Sequence, residues 1–365
     1  MSLEAIPASD HTLMYLASAM ILSAFCAIFG QHQSKPLSTM AVEILGVLGL
    51  GLGALLAPFP FNRYFLMGVF GYASYFLFKS HGGATLKTIS LVQIVLAIFL
   101  VLGSVFTGHS FATLAGLFLA FTLVPLPPFH VPFAFLVGSD QGRFSGFWLV
   151  VFLSLGLAEL RELSPFTSDD LSIFISLLAL GSAVYSSFKC LGQRQPRLLI
   201  TYATIAHTSL LWGLTTVFSS FFKWGIPYGL MIALAMNGLL VAYTFVQQRY
   251  GAHVIGTLPG LAFPMPRFGT VLVLLISLAM LLPIIPILTG LTTLATIEDQ
   301  DISLIFILLI FSSVWMFGSW YFSHLLHQTA FGQARPDIRY IDLKIGEVCI
   351  LTLLIVGASY SGLFF

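Results

Sequence analysis

Charge is the scarcest property of this sequence. Asp, Glu, Lys and Arg together make up 8% of its 365 residues, against 58% for hydrophobic residues. Soluble domains carry about 25% charged residues, and a chain with so few charges cannot cover a surface that faces water. The composition therefore excludes a soluble enzyme, a nucleic-acid-binding protein and a disordered linker.

Cysteines and catalytic motifs are also scarce. Cys26, Cys190 and Cys349 are the three cysteines, and their spacing is typical of neither a metal site nor a disulfide framework. The sequence has no phosphate-binding loop with its lysine, no cysteine cluster for an iron–sulfur centre and no serine nucleophile motif. We therefore predict no catalytic centre, no metal and no bound cofactor in this chain, and lipids as its surroundings.

Long apolar segments dominate what is present. A helix needs about 20 apolar residues to cross a bilayer, and turn residues and charges divide the chain into about twelve such segments. The segments are 12–30, 40–58, 62–79, 88–107, 111–137, 146–160, 171–187, 198–219, 227–247, 269–293, 302–327 and 347–364. Because the runs are continuous rather than alternating, a transmembrane β-barrel is excluded. The sequence predicts an all-α polytopic membrane protein with about twelve transmembrane helices.

The loop charges predict the orientation of these segments. With twelve crossings, one face receives only Arg63, Arg161 and Lys223. The opposite face receives the other twelve basic residues: Lys35, Lys79, Lys87, Arg143, Lys189, Arg194, Arg197, Arg249, Arg267, Arg335, Arg339 and Lys344. The positive-inside rule places this basic face in the cytoplasm and both termini outside. We expect the bacterial cytoplasmic membrane, with the mitochondrial inner membrane as the alternative.

Two of the segments contain proline clusters. The first reads VPLPPFH and includes Pro125, Pro128 and His130, and the second reads LPIIPILTG and includes Pro283 and Pro286. Proline removes a backbone donor and breaks a helix. The carbonyls that it frees at membrane depth must bind neighbouring groups or line a polar cavity.

The positions of the two breaks predict an internal repeat. Each broken segment is the fourth in a group of five, and an odd number of crossings inverts the second group. The predicted units are 1–39 (N-terminal segment and first helix), 40–165 and 166–330 (the two inverted five-helix repeats), and 331–365 (cytoplasmic loop and last helix). Paired broken helices in inverted repeats are typical of transporters; ordinary proline kinks are the alternative.

Six stretches, in order, carry a resemblance to a known family. They are VPLPPFH (124–130), RLLITYATIAH (197–207), GTLPGLAFPMP (256–266), LPIIPILTG (282–290), LLHQTAFGQAR (325–335) and DLKIGEVCILTLLIV (342–356). Over about residues 60–365 the chain resembles the antiporter-like membrane subunits of complex I. That family is shared with Mrp-type antiporters, membrane-bound hydrogenases and some inorganic-carbon uptake systems.

The resemblance implies a proton channel built from intramembrane lysines and glutamates, but this sequence departs from that pattern. Leu123, Leu153, Asn237 and Leu294 stand at the family's proton-path positions. Independently of any family, no Lys, Arg, Asp or Glu lies in the middle of a predicted segment. A proton path needs groups that change charge within the membrane. We therefore expect proton translocation to be impaired.

The remaining polar groups give a candidate polar axis and a candidate docking surface. The axis and helix-break residues are Pro125, Pro128, His130, His207, Asn237 and Pro286. Each histidine is read either as a structural hydrogen-bonding group or as a proton relay, and Asn237 as a link between two helices. A basic loop carries Lys189, Arg194 and Arg197, which fit anionic lipid headgroups or a docked cytoplasmic subunit.

Three functions remain open from the sequence. The first is a structural or coupling subunit of a complex-I-like assembly of the NADH:quinone oxidoreductase or hydrogenase type. Its partners would be other membrane subunits, some of them antiporter-like, and a soluble catalytic subunit. The second is an active proton or cation transporter that uses His130, His207, Asn237 and water. The third is a membrane subunit of an uptake complex for bicarbonate or CO2.

Overall fold

Helices account for all the regular structure that can be described. The computed structural model describes residues 8–30, 37–79, 83–106, 109–138, 144–163, 169–215, 221–284 and 301–363, and these form thirteen α-helices and no β-strand. The helices are α1 (Ala8–Phe29), α2 (Leu37–Leu56), α3 (Phe61–Lys79), α4 (Ala84–Phe106), α5 (His109–Leu123), α6 (Val131–Gly138), α7 (Ser145–Leu163), α8 (Asp169–Leu191), α9 (Pro196–Leu214), α10 (Phe221–Tyr250), α11 (Pro266–Leu281), α12 (Asp301–Ala330) and α13 (Ile345–Leu363). The predicted all-α class is confirmed for this part of the chain.

The helices follow the apolar segments of the sequence. Each predicted segment overlaps one helix, except that 111–137 contains two, α5 and α6. Within the described ranges, six helices are long and apolar enough to cross a bilayer: α1, α2, α4, α8, α10 and α13. The chain is therefore an integral membrane protein. The full set of twelve crossings and the two repeats stay predictions.

Helix α10 lies at the centre of the bundle. It packs against α1, α7, α9, α11 and α13, and from Trp224 to Val246 it is buried almost without interruption. The outer helices instead turn large apolar side chains outwards, as Phe99 of α4 and Leu177 of α8 do. Water would not tolerate so extensive an apolar exterior, whereas lipid tails cover it without cost.

Local chemistry explains where two of the helices begin. Pro196 and Pro266 occupy the first positions of α9 and α11, where the missing N–H costs nothing and the fixed φ suits a helix. The Asp342 carboxylate accepts hydrogen bonds from the N–H groups of Arg267 and Phe268 at 3.0 and 3.2 Å. This carboxylate satisfies two free donors at the positive end of α11.

Loops at one end of the bundle pair into a single layer, which we call the loop plate and define as residues 192–196, 251–267 and 328–344. Four backbone hydrogen bonds join its parts: Ile255 N to Arg194 O (2.7 Å), Gly260 N to Phe331 O (2.9 Å), Leu261 N to Thr329 O (3.0 Å) and Ala262 N to Ala330 O (3.1 Å). At Gly260, φ is +73° and an added Cβ would lie 2.6 Å from the Gly332 carbonyl oxygen. Only glycine fits this crossing.

Candidate functional site: a braced helix break

The first proline cluster interrupts an apolar helical segment, as predicted. Helix α5 ends at Leu123, residues 124–130 leave the helical path, and α6 begins at Val131. Pro125, Pro128 and His130 all lie in this break. Because proline donates no backbone hydrogen bond, several carbonyl oxygens around the break lack their helical partners.

Helix α9 supplies two of the missing donors. The indole Nε1 of Trp212 donates to the carbonyl oxygen of Val124 at 3.0 Å, and the Thr208 hydroxyl donates to that of Pro125 at 3.1 Å. These two side chains lie four residues apart, on one face of α9. The break therefore packs against two hydrogen-bond donors on one face of a neighbouring helix.

Helices α8 and α4 supply two further donors. The Ser182 hydroxyl donates to the carbonyl oxygen of Pro127 at 3.3 Å. The Gln93 amide donates to the carbonyl oxygen of Phe129 and, at 3.3 Å, to the Thr122 hydroxyl. Side chains from three other helices thus bind four carbonyls of the break. These contacts replace backbone hydrogen bonds at a depth where water is scarce.

The predicted proton-path positions next to the break are apolar and closely packed. Leu123 and Leu153 are both buried. Gly156 of α7 lies so close that an added Cβ would be 2.8 Å from the Leu123 Cβ and 2.7 Å from the Val124 nitrogen. Helix α7 and the break are therefore in direct contact at this point.

Asn237 lies where three helices meet. Its amide nitrogen donates to the Ser23 hydroxyl of α1 at 2.9 Å. An added Cβ on Gly146 of α7 would lie 1.9 Å from the Asn237 Oδ1. This position of α10 carries a neutral amide that joins α1 to the core.

The two histidines of the predicted axis lie in different surroundings. His130 lies beside Tyr202, with 6.3 Å between ring centroids. His207 is fully buried, and neither of its ring nitrogens has a hydrogen-bond partner within the described residues. Ser154 of α7 and Ser209 of α9 are likewise buried without a partner there. No hydrogen bond connects either histidine to Asn237.

Charged side chains near the helix ends form ion pairs. Arg63 of α3 pairs with Glu159 and, at 3.4 Å, with Glu162, both of α7. At the opposite end, Arg249 of α10 pairs with Glu347 of α13, and each of these two side chains is only 10% exposed. These ion pairs join neighbouring helices near their ends.

Two predicted positions, Pro286 and Leu294, lie outside the described residues, as does most of the second break. Before it, the Trp315 indole donates to the Met280 carbonyl oxygen at 3.2 Å. Within the described ranges, no group of three or more His, Cys, Asp or Glu side chains is placed to hold a metal ion.

The three cations of the predicted docking loop do not share one environment. Lys189 and Arg194 are exposed. Arg197 is 7% exposed and donates to the Thr244 hydroxyl of α10 at 3.3 Å. Its guanidinium therefore faces the bundle, and the exposed part of that candidate surface consists of Lys189 and Arg194.

An all-helical membrane bundle with a braced helix break is thus the class that this chain defines. No protein-family model and no curated protein matches its sequence. Among solved structures, a chain of the respiratory complex I from Thermus thermophilus with bound NADH is similar at a TM-score of 0.75 and 17% identity. That likeness covers 96% of this chain and 81% of the other.

Two further structures share the fold. One is a chain of the membrane-bound sulfane sulfur reductase, an archaeal respiratory membrane complex, with a TM-score of 0.73, 16% identity and coverage of 96% of this chain and 64% of that chain. The other is a chain of the Mrp complex from Dietzia sp. DQ12-45-1b, with a TM-score of 0.68, 12% identity and coverage of 96% and 79%. The fold implied by the six sequence stretches is confirmed.

Proposed function

We propose that this chain is an antiporter-like membrane subunit of a complex-I-like assembly, in which it has a structural or coupling role and conducts protons poorly or not at all. The observation that carries this proposal is the direct contact between α7 and the break. Leu123 and Leu153 are buried, and Gly156 of α7 lies in close contact with Leu123 and Val124. A proton path at this point would need groups that change charge and water to connect them.

The braced break supports the same proposal. Its carbonyls at 124, 125, 127 and 129 are bound by side chains of neighbouring helices. Carbonyls that line an ion path in a broken helix have to remain available to the ion. In this chain the carbonyls of the break are instead occupied by hydrogen bonds that hold the bundle together.

The proposal includes an orientation and a set of partners. We place the chain in a bacterial cytoplasmic membrane with twelve crossings, two inverted five-helix groups and the loop plate in the cytoplasm, in accord with the positive-inside rule. The similar chains belong to complexes of several subunits. Accordingly, the partners are other membrane subunits packed beside this one.

A second candidate function, an active proton transporter, is favoured by one observation. His207, Ser154 and Ser209 are buried and have no hydrogen-bond partner within the described residues. Buried polar groups are normally satisfied, and water molecules would satisfy these. A hydrated path through His207 would not require the lysines that Leu123 and Leu153 replace.

Gentle purification of the tagged chain from its native membrane, followed by mass spectrometry, tests the first proposal. We expect recovery with quinone-reducing, hydrogenase or iron–sulfur subunits and other antiporter-like chains. Recovery with one soluble zinc-enzyme-like protein would instead favour a membrane subunit for inorganic-carbon uptake. A chain that is stable and folded on its own contradicts the subunit proposal.

Proton flux into liposomes that contain the chain separates the two candidates. The subunit proposal predicts flux no greater than that of empty liposomes, and no change for His207→Phe. The transporter alternative predicts measurable flux that falls with His207→Phe and persists with Tyr64→Phe. Tyr64 of α3 is 45% exposed and lies outside the candidate axis, so its replacement serves as the control.

A further inference from the structure

The loop plate exposes large apolar side chains that lie in loops and not on the lipid-facing flank of a helix. Phe263 is 92% exposed, Ile341 59% and Phe331 52%. On the flank of a spanning helix such exposure is ordinary, because lipid tails surround it. In loops beyond the helix ends, an exposed aromatic side chain needs another explanation.

Helix length places this layer at the edge of the bilayer. The plate joins the last residues of α10 and α12, which have 30 residues each. At 1.5 Å per residue, 30 residues extend about 45 Å. The hydrocarbon core is about 30 Å thick, and about 40–45 Å with headgroups. The plate therefore lies at the headgroup edge of the bundle, where α9, α11 and α13 also begin.

The plate is also held in one shape. The backbone of Ala262, next to Phe263, pairs with Ala330, and that of Gly260 pairs with Phe331. Arg249 donates to the carbonyl oxygens of residues 341 and 342 at 3.0 and 3.1 Å. An aromatic side chain on so constrained a backbone loses little freedom when it binds, which is typical of interface hot spots.

The charge around these aromatic groups is positive. The plate has five cations and two carboxylates, and both carboxylates are engaged. Asp337 binds Arg335, whose hydrogen bonds hold the pKa of Asp337 below its ordinary value, and Asp342 caps α11. Arg194, Arg339 and Lys344 are exposed, and no carboxylate within the described residues pairs with them.

We propose that the loop plate is a docking surface for a soluble cytoplasmic protein whose contact face has an apolar pocket for Phe263 surrounded by carboxylates. The apolar anchor, the rigid backbone and the unpaired cations all point to a protein partner of this chemistry. The inference relies on the proposed function, which places the loop plate on the cytoplasmic side of the membrane. Whether a soluble protein docks there is tested separately from whether other membrane subunits bind this chain.

Photo-crosslinking in cells of the natural source locates the occupant. A photo-reactive amino acid is placed at position 263 and, as the control, at position 78. Phe78 of α3 is 74% exposed and lies beside Lys87 at 5.2 Å, but it is outside the plate. We expect a soluble protein to be crosslinked from position 263 and not from position 78.

Affinity of that purified protein for the chain in nanodiscs then decides whether the contact is specific. We expect Phe263→Ser to weaken binding about tenfold or more and Phe78→Ser to leave it unchanged. Arg339→Glu with Lys344→Glu should weaken binding as well, more strongly at low salt. Because Phe263 is almost fully exposed, its replacement leaves the folded bundle intact.

The opposite results are equally clear. Crosslinks from position 263 that reach only phospholipid would make the plate a membrane-binding surface, and crosslinks to a transmembrane chain would make it a lateral contact; each overturns the proposal. Equal affinities for Phe263→Ser and Phe78→Ser overturn it too. If membrane subunits co-purify with the chain but no soluble protein is crosslinked from position 263, the docking inference fails and the proposed function stands.

Discussion

The indole Nε1 of Trp212 and the carbonyl oxygen of Val124 are 3.0 Å apart and form a hydrogen bond that joins α9 to the first residue of the proline break. Both residues are buried. The net free energy of a buried hydrogen bond is modest, but leaving a buried carbonyl oxygen without a partner costs more free energy. The bond therefore matters chiefly because it avoids that cost. The stability of the break therefore depends on a side chain that lies 88 residues later in the sequence than Val124.

Replacing this donor tests whether the break is braced as described. Trp212→Phe keeps an aromatic ring but leaves the Val124 carbonyl oxygen unpaired, so we expect a loss of about 1–3 kcal/mol in the free energy of unfolding. Denaturant unfolding in detergent measures it. Trp320→Phe is the control, because Trp320 of α12 is 63% exposed. Equal losses for the two variants would contradict the bracing.

The contact between α7 and Asn237 predicts a large difference between two Gly→Ala changes. Gly146→Ala would place a Cβ 1.9 Å from the Asn237 Oδ1, so the amide must move and lose its bond to Ser23. We expect a loss of about 1–3 kcal/mol. Gly71→Ala meets no atom within 4 Å, and its better helix propensity should make it neutral or stabilising by up to about 1 kcal/mol. Thermal unfolding of both variants side by side gives the answer.

The buried ion pair at the basic end should matter more than an exposed one. Arg249→Met leaves the Glu347 carboxylate unpaired in a site that is 10% exposed, and we expect a loss of about 3–5 kcal/mol. In contrast, Arg335→Met breaks a pair whose side chains are 51% and 58% exposed, with an expected loss of about 0–1 kcal/mol.

A double variant refines this ion-pair prediction. Arg249→Met combined with Glu347→Met should recover part of the loss, because no charge then remains buried alone. Recovery should be incomplete, since Arg249 also binds two backbone carbonyls. Chemical denaturation of the two single variants and the double variant measures the coupling. Similar losses for Arg249→Met and Arg335→Met would contradict this account.

Two buried tyrosines of α10 should respond differently to loss of the hydroxyl. Tyr243 Oη lies 3.1 Å from Thr329 Oγ1, and Tyr243→Phe should cost about 0.5–1.5 kcal/mol. Tyr228 Oη is buried and has no hydrogen-bond partner among the described residues, so Tyr228→Phe should cost nothing or stabilise the protein. A clear loss on Tyr228→Phe, measured by unfolding, would indicate an ordered water at that hydroxyl.

The break itself could be predicted from the sequence, but the groups that brace it could not. Pro125 and Pro128 act on their own backbone, so their effect is local and readable. Gln93 and Ser182 are polar residues within apolar helices, which signals only that each needs some partner. The carbonyls that they bind are 36 and 55 residues away in sequence, and only the packing of the helices decides that pairing.

The cations show the same division between local and long-range information. The sequence alone groups Arg197 with Lys189 and Arg194, because they are neighbours in one basic loop. In the structure, α9 begins at Pro196, and its first turn directs Arg197 towards Thr244 of α10. Likewise, Arg249 and Glu347 are 98 residues apart, and nothing in the local pattern of either predicts the pair.

The order of synthesis gives the braced break a consequence for how this protein is made. The ribosome produces residues 124–130 before Ser182, Thr208 and Trp212, which bind three of the carbonyls of the break. Until α8 and α9 have entered the membrane, those carbonyls have no protein partner, and hydrocarbon cannot supply one. The nascent break must therefore wait near water or within the insertion machinery, so this part of the bundle becomes complete only after α8 and α9 have been made.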